Sequence, residues 1–403
     1  MSVASNEVRE PEKGVSHWGM AALLAALAMV SPFSIDTFYP SFPAIAQEFS
    51  LTSWQIQQTI TVYMVPFALM TLVQGPLSDA LGRRPVVLVG LVIYSLASVA
   101  CVFAPNFAFL LVFRALQGMS AGVGMAVGRA IIRDLHEGPQ AQKLMSAITM
   151  IFSIAPAIAP VLGGWIHVWF GWRYVFGFMV FTGLTLVLLS YLLLPETHPH
   201  ERRSRFDVAA LARLVAHIGT DRVFMAHALA LGVTFSAMII FIGAAPAIVM
   251  THWHMGETDF AALFVPLIIG IVGGGWISGR LAGRIPARRQ VALGYVLTLG
   301  GSGVFVAAAA LLPSMPVLLQ QALITATATG AQLTMPLYTL RMLDLYPHAR
   351  GSAASVQSCV MLGTGAIAIG GLVPAVNHSM LGISLASFLC GATGFLMWRR
   401  VWR

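Results

Sequence analysis

The sequence predicts an all-α membrane protein of twelve transmembrane helices in two six-helix halves. Three observations carry that prediction. Hydrophobic residues make up 58% of the 403-residue chain and charged residues only 9%, where a soluble domain carries about a quarter charged. Such a chain cannot cover itself with polar surface and needs lipid as its solvent. Its apolar runs are about twenty residues long, which suits helices and not the roughly ten-residue strands of a membrane barrel. Two stretches also recur at half the chain length. Asp79-Ala80-Leu81-Gly82-Arg83-Arg84-Pro85 overlays Arg280-Leu281-Ala282-Gly283-Arg284-Ile285-Pro286 at an offset of 201, keeping Gly, Arg and Pro but not the Asp. Phe38 with Pro43-Ala44-Ile45 overlays Phe241 with Pro246-Ala247-Ile248 at an offset of 203. Both echoes point to an internal repeat.

In order, the twelve spans are 17–39, 54–77, 86–104, 107–131, 142–167, 173–194, 222–250, 260–280, 290–312, 315–342, 350–374 and 380–398. An even number puts both termini on one side. Of 23 Lys and Arg, all but Arg114 and Arg173 fall at the termini or the even-numbered turns, so that side is cytoplasmic. The expected organisation is a cytoplasmic tail (1–16), a first half (17–194), a cytoplasmic linker (195–221) and a second half with a short tail (222–403). The net charge of +8 follows from this topology and the lipid headgroups, without nucleic acid. The first apolar run reads as a span rather than a signal peptide, being long, preceded by mixed charge and carrying Asp36. The linker, with Arg202, Arg203, Arg205 and Arg213, reads as a solvated tether at the lipid surface. Cys101, Cys359 and Cys390 lie in apolar spans and read as small core residues.

Asp36 and Arg114 are the two ionisable residues well inside apolar spans, where an ion is expensive and a functional role is the default. Counted from the outer ends of spans 1 and 4, both sit roughly 6–10 Å below the boundary at about 1.5 Å per residue. They can share the outward half of a central cavity, or form a charge pair that holds span 1 near span 4. Desolvation favours the neutral acid, and a neighbouring guanidinium favours the carboxylate. A carboxyl between those pulls can exchange protons, so that a proton or a solute holds the site but not both. That is antiport, with no chemistry on the solute. The turn Gly75 to Pro85 is short, glycine-rich and charged. Asp79 closes span 2, and Arg83 can meet a helix C-terminus or Asp134 at the end of span 4. Arg84 marks the cytoplasmic side.

Gly75 to Arg84 resembles the signature loop of the major facilitator superfamily, between its second and third helices. Arg114-Ala115-Leu116-Gln117-Gly118 resembles its fourth-helix motif. Ala155-Pro156-Ala157-Ile158-Ala159-Pro160-Val161-Leu162-Gly163-Gly164 resembles the fifth-helix motif of its proton-coupled exporters, with Ala159 where a glycine often precedes the proline. Asp36-Thr37-Phe38-Tyr39-Pro40 with Pro43-Ala44-Ile45 resembles the first helix of the Bcr/CflA group of drug exporters. The resemblance implies the major facilitator fold in a bacterial inner membrane, and alternating access driven by the proton gradient with no cofactor. It implies coupling through Asp36 and Arg114, and a gate of Gly75, Asp79, Gly82, Arg83, Arg84 and Asp134 that shuts the cytoplasmic side when the cavity opens outward. It also implies helix packing through Pro156, Pro160, Gly163 and Gly164. Some relatives carry a further acid earlier in the first helix; this chain has none between Trp18 and Ile35.

Small residues let membrane helices approach closely. With the bend that its prolines permit, span 5, together with glycine-rich spans 8 and 11, is expected where the halves slide. Candidates for contact with a bulky, mostly apolar solute are Tyr39, Gln57, Tyr63, Phe67, Phe235, Phe241, Gln321, Gln332, Tyr338 and Gln357. The outer segment Thr251-His252-Trp253-His254 with Glu257 and Asp259 reads as interfacial residues, with no metal expected. Walker, His-Glu-x-x-His and Gly-x-Ser-x-Gly patterns are absent from the sequence, so enzyme classes built on them are not indicated. The expected function is proton-coupled efflux of small lipophilic compounds, antibiotics among them, by a monomer whose other partners are protons and membrane lipids. The alternatives are a proton-coupled metabolite exporter of narrow specificity and a non-transporting membrane sensor on the same fold.

Overall fold

The computed structural model describes residues 17–135, 138–203, 205–312 and 314–402, and every regular element among them is helical. The tail 1–16, expected in the cytoplasm, lies outside the described residues. The first half contains α1 (His17–Asp36), α2 (Phe42–Glu48), α3 (Ser53–Met70), α4 (Gln74–Leu81), α5 (Arg83–Val102), α6 (Phe107–Ala121), α7 (Val123–Leu135), α8 (Gly138–Phe170) and α9 (Trp172–Leu193). After α10 (Val208–Thr220), the second half contains α11 (Arg222–Gly243), α12 (Ala261–Leu281), α13 (Ala287–Leu311), α14 (Val317–Leu345), α15 (Arg350–Ile367), α16 (Val373–Val376) and α17 (Met380–Val401). Nine helical segments among the described residues are long and apolar enough to cross a membrane, and the bent pair α3–α4 makes a tenth. The long α8 is span 5. The long α14 is span 10, which carries Gln320, Gln321, Gln332 and several threonines.

Span 1 does not stop at residue 39. The α-helix ends at Asp36, a short 3-10 turn follows over Tyr39–Ser41, and α2 carries the apolar crossing on to Glu48. Pro40 and Pro43 explain the restart, because proline fits the first turn of a helix and cannot continue one. Asp36 therefore lies about twelve residues from the outer end rather than four, deeper than the sequence count put it. Span 7 repeats the break: α11 ends at Gly243, Pro246 follows, and a π-helical turn runs over Ala247–His252. At the 203-residue offset, Ile239 stands where Asp36 stands, so only the first half carries an acid at its break.

Span 2 bends by 51° between α3 and α4. Pro66 removes one backbone donor from α3, and the chain tightens into i→i−3 bonds at Leu72 (3.1 Å to the Leu69 carbonyl) and Val73 (3.1 Å to Met70). These are ordinary causes of a kink. Thr52 and Gln55 form a reciprocal capping box at the outer start of α3. Trp165, Trp169, Phe170 and Tyr174 are exposed together at the outer ends of spans 5 and 6, an aromatic belt of the kind that sits at a membrane–water interface.

The packing repeats with a shift of six spans. In the first half span 1 packs on 5, 2 on 4 and 3 on 6; in the second, 7 packs on 11, 8 on 10 and 9 on 12. The halves meet chiefly where α8 packs on α12 and α3 on α15, spans 5 with 8 and 2 with 11, and the same shift exchanges these two joints. Span 2 thus joins spans 5, 8 and 11 at the joint. The linker is more than a tether. Asp207 caps α10 by accepting from Ala210 N at 2.9 Å, and Ile218 is fully buried in a second-half cluster with Phe224, Tyr338 and Val356. Asp221 caps α11 through Val223 N (2.8 Å) and Phe224 N (3.2 Å) and accepts from the Tyr346 hydroxyl at 2.8 Å. Burial and that bond push the Tyr346 hydroxyl up to about 12. Against desolvation, the bonds from Tyr346 and the two backbone N–H groups hold the Asp221 carboxyl below its ordinary value.

Candidate transport site and gate

The break in span 1 brings Asp36 and Tyr39 beside Arg114 of span 4. Arg114 is wholly buried. Its Nη1 donates to the Ser34 carbonyl at 3.1 Å and to Gln117 Oε1 at 3.0 Å, and its Nε to the Thr59 carbonyl at 3.4 Å. Its Nη2 has no hydrogen-bond partner. The rings of Tyr63, Phe38 and Phe176 surround the guanidinium at 4.6, 5.0 and 5.9 Å from their centroids, in the geometry of cation–π contact. Gln117 passes the network on by donating to Ser98 Oγ at 2.7 Å. Ser34 Oγ and the Tyr94 hydroxyl lie 2.6 Å apart.

Asp36 is 5% exposed. Among the described residues its carboxylate has no ion-pair partner within 4.0 Å and accepts no hydrogen bond. The charge pair weighed from the sequence is therefore not formed in this conformation: Arg114 Nε and Nη1 are taken up by two carbonyls and an amide oxygen, and its faces by rings, while Nη2 stays free. The Tyr39 hydroxyl is buried without a partner, and its ring lies 6.5 Å from that of Phe264 in span 8, across the joint between the halves.

The solute-contact candidates separate. Tyr39 and Tyr63 gather at the Asp36–Arg114 centre. Phe67 packs 6.2 Å from Tyr63 and against Gly122, within the contact of spans 2 and 4. Gln57 donates to the Gly243 carbonyl at 2.7 Å and closes the outer joint rather than lining an open cavity. Phe235 is partly buried near Gly365 of span 11, and Gln332 lies against Gly274 of span 8. Gln357 donates to Thr339 Oγ1 at 2.7 Å. The remaining three also pack within the second half. Phe241 stacks on Phe305 at 5.9 Å with no exposed surface, Gln321 donates to the Ala262 carbonyl at 2.8 Å, and the Tyr338 hydroxyl meets that of Tyr295 at 2.9 Å. Sequence reasoning passed over Ser34, Tyr94 and Ser98, and quoted Gln117 only as part of a motif. A signal was present: Ser34–Tyr94 has a counterpart in Thr234–Tyr295, hydroxyls 2.9 Å apart about 200 residues later.

The face that the sequence reading places outside is closed. Besides Gln57 to Gly243, Gln58 donates to the Gly370 carbonyl at 3.2 Å, and His167 Nε2 stands 3.4 Å from Glu257 Oε2. Gly164 presses on the Glu257 backbone and Gly163 on that of Thr37, approaches that leave no room for a Cβ. Pro156 and Pro160 lie inside α8 without interrupting it. The outer cleft between Phe42, Gln57, Gly243 and Asn377 holds about 200 Å³, less than the roughly 300–1,000 Å³ of a drug-sized pocket. His252 sits 2.9 Å from the Asn377 carbonyl and Trp253 donates to Gln320 at 2.7 Å. No group of three metal-ligating side chains occurs among the described residues.

On the opposite face Arg83 centres the charged loop. It pairs with Asp79, donates from Nε to Asp134 Oδ2 at 3.1 Å and from Nη1 to Ser78 Oγ at 2.6 Å. The linker completes this network: Glu196 accepts from the Arg83 backbone at 3.0 Å, Thr197 donates to Asp134 at 3.0 Å, and Arg203 lies 3.6 Å from Glu196. Arg84 donates to the Tyr191 carbonyl at 2.6 Å. Gly82 turns the chain at φ 99, where an L side chain is strained and a Cβ would meet Glu196 and Arg203; Gly283 turns it at φ 74 in the second half, with open space where a Cβ would stand. Gly75 lies in α4 with open space where a Cβ would stand. The partners of this loop among the described residues all belong to the first half and the linker.

Comparison with known proteins agrees with this architecture. The chain is 30% identical, over 88% of its length and 88% of the relative's, to an uncharacterized MFS-type transporter, YdgK, of Bacillus subtilis strain 168. It is 26% identical to a bicyclomycin resistance protein homolog of Haemophilus influenzae, over 66% of this chain and 67% of that one. The crystal structure of a D-xylose–proton symporter matches with a TM-score of 0.71 over 95% of this chain and 97% of that chain, at 13% identity, a likeness of fold. The Major Facilitator Superfamily model matches residues 24–371. The chain belongs to the major facilitator superfamily: it is an integral, multi-pass membrane protein that carries small molecules across the bilayer rather than transforming them.

Proposed function

We propose that this transporter is a proton-coupled exporter of small lipophilic compounds, of the Bcr/CflA type, with Asp36 as the proton carrier. The observation that carries the reading is a carboxyl and a guanidinium buried in one compartment without neutralising each other. An unpaired carboxylate taken out of water costs several kcal/mol, so the closed outer face is compatible with Asp36 in its protonated form. The cycle follows. Asp36 takes a proton from outside, and the outer face closes over it. On the inner side a solute enters beside Tyr39, Tyr63 and Arg114 as the proton leaves. The deprotonated, loaded protein then opens outward and releases the solute.

The Arg83 network acts as the inner gate in this reading, holding the loop in one geometry that docks on the second half when the cavity faces out. The described spans hold one unpaired acid and an unpaired arginine at the centre, which suits neutral solutes better than lipophilic cations. The resistance-protein name of the Haemophilus relative supports antibiotics as a substrate class. The proton gradient drives the cycle without a cofactor, in a monomer of the bacterial inner membrane with both termini in the cytoplasm.

The test is uptake of dyes and antibiotics into inverted membrane vesicles under an imposed proton gradient. Gradient-driven uptake by the wild type that falls to background in Asp36→Asn is expected. Equal uptake by both removes Asp36 from the mechanism.

A further inference from the structure

We infer that His167 is a second proton-binding residue, facing outward, whose protonation latches the outer face shut. The inference rests on the alternating-access part of the proposed function, and it needs no particular substrate. His167 lies on span 5, one turn after Gly163 and Gly164. Its Nε2 is 3.4 Å from Glu257 Oε2, in the turn between spans 7 and 8. The pair therefore bridges the halves, and among the described residues it is the one ion pair that does so. The bridge is partly sheltered from water. The imidazole is 9% exposed and Glu257 32%, and the other ring nitrogen, Nδ1, is buried without a partner. Gly164 lets the Glu257 backbone come close enough for the bridge to form.

The elements packed against span 5 offer few other charges to this end of the joint. Asp36 and Tyr39 stand at the break of span 1, next to the Thr37 backbone that seats Gly163. Arg173, at the start of span 6, is already paired with Glu48. In the turn before span 8, Asp259 accepts from the Gly256 backbone, and His252 is taken up by Asn377. His254 lies in the same turn. Glu257 is thus the acid within ion-pair reach of His167.

The consequence follows by linkage. A neutral imidazole offers Glu257 at most a hydrogen bond, and a protonated one offers an ion pair. The pair exists only when the outer face is closed, so an acidic exterior stabilises closure and closure stabilises the proton on His167. That proton comes from outside and returns outside when the face reopens. His167 therefore leaves the transported stoichiometry unchanged and speeds the return step when the exterior is acid.

The experiment measures a distance, not transport. Spin labels at Gln47 and Leu318, exposed at the outer ends of the two halves, report opening in the full chain in nanodiscs without substrate. In the wild type, lowering the pH from about 8 to about 5 should raise the closed-to-open ratio about 2–5-fold, the size of one partly exposed ion pair. His167→Gln and Glu257→Gln should each abolish that step, and His167→Arg should stay closed across the range. A step that persists in Asp36→Asn leaves the inference standing even where Asp36 carries no proton. A step that survives His167→Gln, or vanishes in Asp36→Asn alone, overturns it.

Discussion

Arg114 is held by shape and polarity rather than by a counter-ion. Its partners are two backbone carbonyls, one amide oxygen and three ring faces. A planar guanidinium can serve all of these together, whereas an ammonium cannot. Arg114→Lys should therefore lower thermal stability in detergent by about 2–4 kcal/mol, the loss of one or two charge-assisted bonds, while a variant of exposed Arg213 should not change it. The depth of Arg114 was readable from the sequence, because an ion in an apolar run must be buried. Its partners were not, because carbonyls of Ser34 and Thr59 leave no mark in a sequence. Asp36 was equally visible, but whether it pairs with Arg114 in a given conformation was not, since nothing in the sequence tells which of several acceptors a buried arginine will take.

Helix ends decide more here than helix middles. The end of α1 at Asp36 and the restart at Pro43 place the acid at mid-span, and the same device at Gly243 and Pro246 shapes the second half. The echo of Phe38-x4-Pro43 in Phe241-x4-Pro246 had pointed to this repeat, but the continuation of span 1 to Glu48 was hidden by the polar Gln47 and Glu48. At the linker, Asp221 closes α11 and ties it to Tyr346 at the far side of span 10. Asp221→Ala should cost about 1 kcal/mol, a typical cap, measured as a drop in melting temperature. The folded carboxyl is held below its unfolded value, so its contribution is full above about pH 4 and fades as pH falls through the folded value. The wild-type excess over Asp221→Ala should shrink on acidification across that interval and stay constant above it.

At the scale of the whole molecule, a shift of six spans maps each half onto the other and exchanges the two joints, 5 with 8 and 2 with 11. The twelve spans, their halves and three of the four joint helices were legible, because hydrophobic length and glycine content report on lipid and close packing. The place of span 2 in the joint was not, because its contacts use Gln57, which read as a solute contact, and Gln58 and Thr61, which read as ordinary polar residues. The participation of Glu196 and Arg203 in the charged loop was hidden for a similar reason: any linker acid could have met any arginine. The closed outer face makes a direct prediction. With Cys101, Cys359 and Cys390 replaced, cysteines at Gln57 and Ala244 should be joined by a short thiol cross-linker in the resting protein and should lose transport when joined, measured by gel mobility and vesicle uptake.

Proton exchange at Asp36 is the claim on which the cycle turns. The most direct measurement is proton release from the purified protein in weakly buffered detergent as a transported compound is added. Release by the wild type and none from Asp36→Asn, with the compound still bound, is the result expected. Equal release from both, or binding without release in the wild type, would contradict a cycle in which one carboxyl holds either the proton or the solute's place.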